Sequence, residues 1–155
     1  MKVLVLTISD RASQGVYEDK SGPVIEKILT EKLSEVLVER LIVSDDETAI
    51  KEAFSSHLEK DIIITTGGTG IGPRDNTPDI TEKFCDRLIP GIAEYLRIES
   101  CKQTINAVLS RGVAGIKDKT LIINLPGSVK GVSFCTELLI TILPHALKMM
   151  RGEGH

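Results

Sequence analysis

Short apolar runs alternate along this chain with longer segments in which apolar residues recur every three or four positions. Four of the runs are typical of buried strands, and they cover residues 2–8, 38–43, 61–65 and 121–125. Each run is followed by polar residues or by glycine, and Pro126-Gly127 closes the last one. We therefore predict four strands with turns at their carboxyl ends.

The segments with wider spacing predict amphipathic helices between these strands. The first helix begins near Ser21, and its apolar stripe runs to Val36. The second is capped by Asp45 or Asp46, and its stripe runs to Leu58.

Three more helices are predicted in the second half of the chain. One begins at Pro78 and carries apolar residues as far as Leu88, and another runs through Ile98. The last one carries its stripe to Met150, and we expect Pro144 to kink it or to end it early.

The remaining segments predict connections. Residues 9–20, 110–112 and 114–115 are expected to be loops, and residues 104–109 to form a short helix or a strand. The chain shows no internal repeat and no linker. Alternating strands and helices indicate one α/β domain over residues 1–155, with a mainly parallel sheet and helices on both faces.

The most informative segment is the glycine-rich turn after the third strand, TTGGTGIGPRDNTPD at residues 65–79. Its uncovered backbone N–H groups can bind an anion, and Arg74 adds a cation and Asp75 a carboxylate. Thr77 is expected to cap a helix that has Pro78 in its first position, so a helix N-terminus adds to the anion site. The segment lacks the Gly-Lys-Ser/Thr ending of a P-loop and the spacing of a dinucleotide fold. The alternative is a tight turn without a ligand.

In such sheets ligands bind beyond the carboxyl ends of the strands. Small, polar or charged residues follow every predicted strand, which predicts one active-site rim. They are Ser9, Asp10, Arg11 and Ser13 after the first strand, Ser44, Asp45 and Asp46 after the second, the glycine-rich turn after the third, and Pro126, Gly127 and Ser128 after the fourth.

Two carboxylates of this rim, Asp45 and Asp75, would stand beside phosphate-binding groups. Mg²⁺ prefers one or two carboxylates together with phosphate oxygens and waters, so this pair is a candidate metal site. The structural alternative is that Asp45 only caps a helix, a role that we favour for Asp46. Asp10 and Arg11 either pair with each other or line the pocket, and both alternatives stay open.

Composition excludes several classes of function. The 155 residues carry a net charge of −3 without a basic cluster, and aromatic residues make up only 3%, so no nucleic-acid or membrane-surface partner is expected. No apolar run is long enough to span a bilayer. Cys85, Cys101 and Cys135 fit neither a disulfide framework nor a zinc site, so we expect buried thiols in a cytoplasmic protein.

Several segments, spread over nearly the whole chain, match one known family. They are TTGGTG at 65–70, PRD at 73–75, TPD at 77–79, ISDRAS at 8–13, GVY at 15–17, LSR at 109–111 and LIINLPGS at 121–128. With these segments the chain resembles the molybdopterin adenylyltransferases of molybdenum-cofactor biosynthesis. One departure is Ser44, where relatives often carry proline, and it should affect the stiffness of the loop more than the chemistry.

The resemblance implies a three-layer α/β fold that assembles as a homotrimer. It also implies an enzyme that uses Mg²⁺ to transfer AMP from ATP to the terminal phosphate of molybdopterin, with pyrophosphate as the other product. The adenylylated pterin would then be ready for hand-over to a molybdenum-insertion protein.

The family's functional residues fall on the segments described above. Its two essential aspartates, which would act in catalysis and hold the metal, fall on Asp45 and Asp75. Its pterin-phosphate loop falls on Gly67, Gly68, Thr69 and Gly70, its ligand-contacting serine and asparagine fall on Ser110 and Asn124, and Ser128 lies in the matching Pro-Gly-Ser turn. The rim residues Ser9, Asp10, Ser13, Arg74, Pro126 and Gly127 complete the predicted substrate-binding set.

Two other functions stay open on the sequence. A non-catalytic carrier or scaffold would bind molybdopterin without depending on Mg²⁺ and ATP. A nucleotide pyrophosphohydrolase on the same fold would consume ATP-like substrates without a pterin. The presence of both aspartates and the length of the match favour the transferase.

Overall fold

The computed structural model describes residues 1–153, and Gly154 and His155 lie outside the described part. The strands are β1 (Lys2–Ile8), β2 (Leu37–Val43), β3 (Ile62–Thr66), β4 (Arg87–Leu88), β5 (Ala114–Lys117) and β6 (Thr120–Leu125). The helices are α1 (Asp10–Ser13), α2 (Ser21–Lys32), α3 (Glu47–Ser55), α4 (Thr77–Phe84), α5 (Pro90–Cys101), α6 (Val129–Ile140) and α7 (Leu143–Met150), with a 3₁₀ helix (Ile105–Leu109) between α5 and β5.

The strands form one sheet in the order β2-β1-β3-β6-β5-β4. The first four strands in this order are parallel, and β5 and β4 continue the sheet antiparallel to their neighbours. The prediction of a mainly parallel sheet is therefore confirmed. Because the four parallel strands are in register, their last residues lie at one edge, where Thr66 pairs with Leu125 and Ile8 with Val43.

Apolar side chains cover both faces of the sheet. Alternate residues of β1 point to opposite faces, so Val5 packs in one core cluster and Leu6 in the other. Helices α2, α5, α6 and α7 supply apolar residues to the first cluster, and α3 and α4 supply them to the second. Helices on both faces of a central sheet make the three predicted layers.

Five expectations about local structure are wrong. Helix α3 ends at Ser55, so Leu58 lies beyond the helix that was expected to carry it. Residues 9–20 include the short helix α1, and residues 114–115 belong to β5. Helix α2 ends at Lys32. Val36 lies beyond the helix but packs on the same apolar cluster, and for this reason the apolar spacing continues past the end of the helix. Leu88 lies in β4 and not in α4. The elements α1, β4 and β5 have only two to four residues, which is too few to show a clear hydrophobic period.

The last predicted helix is divided into two helices near Pro144, which was expected to kink it or to end it early. Helix α6 ends at Ile140, and α7 begins at Leu143 with Pro144 in its first turn, where the missing N–H costs no hydrogen bond. Within residues 1–153 no single helix has the length and apolarity to cross a membrane. Helices α6 and α7 have this length and apolarity only when they are taken together, and they are bent by 55° relative to each other.

The three cysteines are free thiols. Cys135 is buried as expected, but Cys85 and Cys101 are half-buried, so the expectation of three buried thiols is wrong for these two. Burial nevertheless raises the pKa of Cys85 to about 11, which keeps this thiol protonated at neutral pH.

Candidate active site

The loops that follow β1, β2, β3 and β6 meet at the carboxyl edge of the parallel strands. The Ser9 N–H donates to the Val43 carbonyl at 2.9 Å, which joins the first two loops. The Thr66 hydroxyl donates to the Pro126 carbonyl at 2.7 Å, which joins the other two. The structure thus brings together the four loops that the sequence analysis assigned to one rim.

Asp45 is held by a reciprocal pair of hydrogen bonds with Asp10. The Asp10 N–H donates to Asp45 Oδ2 at 2.9 Å, and the Asp45 N–H donates to Asp10 Oδ1 at 3.0 Å. Burial raises the pKa of the Asp45 carboxyl above its ordinary value, and the charges of Asp10 and Asp75 raise it further. Asp45 Oδ1 faces Gly68 and Asp75 Oδ2 lies against Gly70 and Gly72, so the two carboxylates both contact the glycine-rich turn.

Asp46 occupies the N-cap position of α3, but its side chain makes no capping hydrogen bond. It instead accepts hydrogen bonds from the Ser44 hydroxyl at 3.0 Å and from the Arg74 guanidinium at 3.0 Å. The favoured capping role is thus confirmed for the position of Asp46 and wrong for its side chain.

Arg74 extends across the rim to the loops of other strands. Its Nε and Nη2 donate to Asp10 Oδ2 and Oδ1, both at 2.9 Å, and Nη2 also reaches Asp46. This hydrogen-bonded guanidinium lowers the pKa of the Asp10 carboxyl below its ordinary value. Asp10 therefore pairs with Arg74 and not with Arg11, which lies over the Tyr17 ring at 5.8 Å.

Asp75 belongs to the glycine-rich turn, and its side chain makes a hydrogen bond within its own loop. Its Oδ2 accepts a hydrogen bond from the Gly72 N–H at 2.8 Å. A Cβ at Gly70 would lie 2.8 Å from the same oxygen, so the glycine lets the carboxylate lie against the backbone. Arg74 makes none of its hydrogen bonds to Asp75, although the two residues are adjacent in sequence.

Arg111 fastens this part of the loop, and the sequence analysis assigned it no role. Its guanidinium donates to the carbonyls of Gly70 at 3.0 Å and Asp75 at 2.5 Å, and it binds both oxygens of Asp79. The bond from Arg111 lowers the pKa of Asp79. Asp79 lies in the first turn of α4, where a carboxylate is favourable to the helix dipole. The one signal in the sequence was the position of Arg111 directly after the family-matching Ser110.

The turn itself requires glycine at two positions. Gly67 has φ +100° and Gly68 has φ +66°, values that side chains rarely adopt. A Cβ at Gly68 would collide with the Thr77 hydroxyl and would lie 3.2 Å from Asp45 Oδ1. Thr77 is the first residue of α4 and Asn76 is the N-cap, so the predicted capping role of Thr77 is wrong.

A cavity of about 710 Å³ opens beside the glycine-rich turn. Six residues of the predicted substrate-binding set lie in its wall, namely Thr69, Gly70, Ser110, Asn124, Pro126 and Ser128. Ile71, Leu109 and Phe134 add apolar surface, and the remaining lining residues include polar and charged ones such as Arg97 and Lys130. A concave wall that combines apolar surface with a limited number of polar groups is typical of a site for a small organic ligand.

Three polar side chains of the predicted set in this wall, those of Asn124, Ser128 and Ser110, already have partners. The Asn124 amide donates to the hydroxyls of Thr65 and Thr81 at 3.0 Å, and its oxygen accepts from the Val113 N–H at 3.2 Å. With 5% exposure Asn124 has a structural role in this wall. The Ser128 hydroxyl caps α6 by accepting from the Gly131 N–H, and the Ser110 hydroxyl accepts from the Gly112 N–H at 3.3 Å.

A second cavity, of about 170 Å³, lies on the other side of the turn. Ser9, Gly67 and Gly127 of the predicted set line it, beside Asp19 and Tyr17.

The other predicted residues lie outside both cavity walls. They are Asp10, Ser13, Asp45, Gly68, Arg74 and Asp75. The Ser13 hydroxyl donates to the Asp10 carbonyl at 2.8 Å. Asp45 and Asp75 lie against Gly68 and Gly70 of the glycine-rich turn, and Gly70 also lines the larger cavity.

The oxygen atoms at this rim fit a hard cation. The Asp10 N–H donates to Oδ2 of Asp45, and Oδ1 of Asp45 faces Gly68. No group of three or more His, Cys, Asp or Glu side chains within residues 1–153 forms a metal cage. A pair of carboxylates suits Mg²⁺, since Mg²⁺ usually binds one or two carboxylates and completes its shell with waters and substrate phosphates.

Comparison with known proteins agrees with this geometry. The family described as a probable molybdopterin binding domain matches residues 4–145. The molybdopterin adenylyltransferase of Helicobacter pylori is 41% identical over 153 residues, which cover 96% of this chain and 87% of that protein.

Two solved structures share the fold. One is described as MogA, with a TM-score of 0.91 and 39% identity over 97% of this chain and 99% of that one. The other is the molybdopterin biosynthesis enzyme MoaB of Thermus thermophilus, with a TM-score of 0.87 and 40% identity over 97% of this chain and 96% of that one. Together with the six-stranded sheet and the glycine-rich turn, these matches show that the chain belongs to the molybdopterin-binding domain family.

Proposed function

We propose that this protein is a molybdopterin adenylyltransferase of molybdenum-cofactor biosynthesis. In the proposed reaction, Mg²⁺ and ATP are used to transfer AMP to the terminal phosphate of molybdopterin, and pyrophosphate is released. The observation that carries the proposal is the meeting of Asp45 and Asp75 at the glycine-rich turn, beside a cavity of about 710 Å³. The 41% identity to the molybdopterin adenylyltransferase of Helicobacter pylori supports adenylyl transfer to molybdopterin.

The acceptor pterin would lie in the larger cavity. Its ring system suits the apolar wall around Leu109 and Phe134, and its phosphate would face the N–H groups of Thr69 and Gly70. Holding the phosphate there brings its oxygen to the rim, where the nucleotide would bind. Positioning of this kind converts a reaction between two molecules into a reaction within one complex.

The transfer step needs no covalent intermediate with the protein. An oxygen of the pterin phosphate attacks the α-phosphorus of ATP, the bond from that phosphorus to the β-phosphate oxygen breaks, and pyrophosphate leaves with the bonding electrons. Asp45 and Asp75 would hold Mg²⁺, which when bound supplies the positive charge that the triphosphate requires. The protein contributes by binding and orienting both phosphates.

We also propose that residues 1–155 form a single domain that works in the cytoplasm as a homotrimer. The negative net charge without a basic cluster supports a small-molecule partner over nucleic acid or a membrane surface. Exposed apolar side chains at Ile98, Ile105 and Val108 are suited to a subunit interface. Light scattering of the purified chain tests the trimer, and the product would pass to a molybdenum-insertion protein.

Pyrophosphate release from Mg²⁺ and ATP, measured anaerobically with and without molybdopterin, tests the transferase. We expect release only with the pterin, together with a product that is heavier by one adenylyl group. Release without the pterin would instead identify a pyrophosphohydrolase. No release while the pterin still binds would identify a carrier.

A further inference from the structure

Asp10 and Arg74 were predicted to bind substrate, but their hydrogen bonds connect them to other residues of the rim. The two backbone–carboxylate bonds between Asp10 and Asp45 tie the loop after β1 to the loop after β2. Each residue presents both an N–H and a carboxylate oxygen to the other. Asp45 therefore cannot rotate its carboxylate without breaking a bond to Asp10.

Arg74, on the loop after β3, connects a third loop to this pair of residues. Its Nε and Nη2 bind the two oxygens of Asp10 in the bidentate geometry that fits guanidinium to carboxylate, and Nη2 also binds Asp46. Two acidic side chains thus face the positive charge of Arg74, which reduces its attraction for a phosphate. We call Asp10, Asp46 and Arg74 the rim latch.

The latch determines which oxygen of Asp45 is turned toward the glycine-rich turn. Oδ2 accepts from the Asp10 N–H, and Oδ1 faces Gly68, where a Cβ would lie 3.2 Å from it. Gly68 belongs to the same turn whose N–H groups would bind the pterin phosphate. The orientation of Asp45 is therefore set by residues whose side chains make no contact with the cavities.

We propose that Asp10 and Arg74 are positioning residues of this active site, which hold Asp45 Oδ1 toward the nucleotide-bound cation and do not bind the substrates themselves. This inference rests on the proposed function, because it assigns to Asp45 the binding of Mg²⁺ and ATP. It departs from the assignment of Arg74 as a phosphate ligand, since it requires Arg74 to act only through Asp45.

A double-mutant cycle between Arg74 and Asp45 separates the two assignments. The dissociation constant of ATP in the presence of Mg²⁺ is measured by calorimetry for the wild type, Arg74→Lys, Asp45→Asn and the double variant. Lysine keeps the charge and loses the bidentate bonds, so we expect Arg74→Lys to weaken ATP binding about tenfold to a hundredfold. In the Asp45→Asn background the same change should have almost no further effect.

Two further measurements exclude a general structural effect. Arg40→Lys is a matched control, since Arg40 pairs with Glu26 at 2.7 Å and is not part of the rim, and it should leave ATP binding unchanged. The KM for molybdopterin should stay the same in Arg74→Lys while kcat falls. If Arg74→Lys does not fold, Asp10→Asn takes its place in the cycle, because it keeps the side-chain size and weakens the bond to the guanidinium.

The proposal is overturned if Arg74→Lys weakens ATP binding equally in both backgrounds, or if it raises the KM for the pterin while kcat is unchanged. It is also overturned if the wild type binds ATP equally well with and without Mg²⁺. Failure of the proposed function has a different signature, namely that the wild type forms no adenylylated pterin. The binding cycle can succeed in that case, so the two failures are distinguishable.

Discussion

Two arginines hold the glycine-rich turn from opposite sides, and they do so with different partners. Arg74 makes all its hydrogen bonds to carboxylates, those of Asp10 and Asp46 on the loops of neighbouring strands. Arg111 binds one carboxylate, that of Asp79, and two backbone carbonyls. The first arginine therefore orients side chains, and the second shapes the backbone of the turn.

This difference distinguishes the two candidate catalytic aspartates. Asp45 lies on the loop after β2, and two hydrogen bonds with Asp10 hold its backbone and its carboxylate. Asp75 is carried by the turn itself, and its position depends on the backbone that Arg111 holds. We infer that substitutions at Arg74 or its partners weaken nucleotide binding. Substitutions at Arg111 or its partners should also weaken pterin binding, because the turn that Arg111 holds lines the larger cavity.

The largest effect is expected for Asp75→Asn, which keeps the size of the side chain and removes its charge. The loss of one electrostatic contact at the reacting phosphates should lower kcat by at least about a hundredfold. Pterin binding should persist, because the asparagine oxygen can still accept from the Gly72 N–H and so keep the turn in place. Turnover is followed by pyrophosphate release and binding by pterin fluorescence. Unchanged turnover would remove Asp75 from the metal site.

A large loss of stability is expected for Asn124→Ala, on the Arg111 side of the turn. The change leaves the Val113 N–H without its acceptor and the Thr65 and Thr81 hydroxyls without their donor, so the free energy of unfolding should fall by about 2–3 kcal/mol. Urea unfolding measures it. Asn76→Ala is the control, since Asn76 makes no side-chain capping bond. Lost pterin binding at unchanged stability would make Asn124 a ligand contact after all.

A smaller effect, about tenfold to a hundredfold in kcat/KM, is expected for Arg111→Lys. A lysine cannot reach the carbonyls of Gly70 and Asp75 and both oxygens of Asp79 at once, so the turn should loosen. In contrast to Arg74→Lys, the KM for the pterin should rise. Steady-state kinetics with varied pterin measures this.

The control for that variant is Arg151→Lys, because Arg151 pairs with Asp61 at 3.3 Å and is not part of the rim. Its kinetics should match those of the wild type. If Arg111→Lys lowers kcat and leaves the KM for the pterin unchanged, the two arginines act alike and the comparison between the two sides fails.

The rim could be predicted from sequence because its signals are local. Buried apolar runs identified the four parallel strands, and the residues that follow such strands must meet at one edge of the sheet. Asp45, Asp75 and the glycine-rich turn were placed at that edge by this reasoning alone. The two glycines with positive φ agree with the expectation of a tight turn.

The pairing of side chains across the rim could not be predicted in the same way. Arg74 has Asp75 as its neighbour in sequence but binds Asp10, which is 64 positions away. The strand that contains Gly115 was also missed, since its glycine is explained by the close approach of the Arg87 carbonyl and the Cys85 sulfur, 2.7 Å and 2.8 Å from where a Cβ would lie. Contacts of this kind depend on the folded structure, and no local pattern encodes them.

The smallest expected effect concerns the pH dependence of stability on the Arg111 side. The bond from Arg111 lowers the pKa of Asp79 below the value of 3.8 that it has in the unfolded chain. The stabilisation from this pair is therefore fully present above pH 3.8 and is lost as the pH falls through the lowered folded-state value. Because the pair is exposed, we expect it to contribute less than about 1 kcal/mol.

Asp79→Asn removes this ionisation, so the free energy of unfolding of the variant should fall less steeply than that of the wild type as the pH is lowered below 3.8. Urea unfolding at a series of acidic pH values measures the difference. High salt should reduce it, because exposed charges are screened. Identical pH profiles for the two proteins would show that Arg111 holds the turn through the carbonyls of Gly70 and Asp75 alone. In that case Arg111 would act through the backbone only, whereas Arg74 acts through carboxylates only.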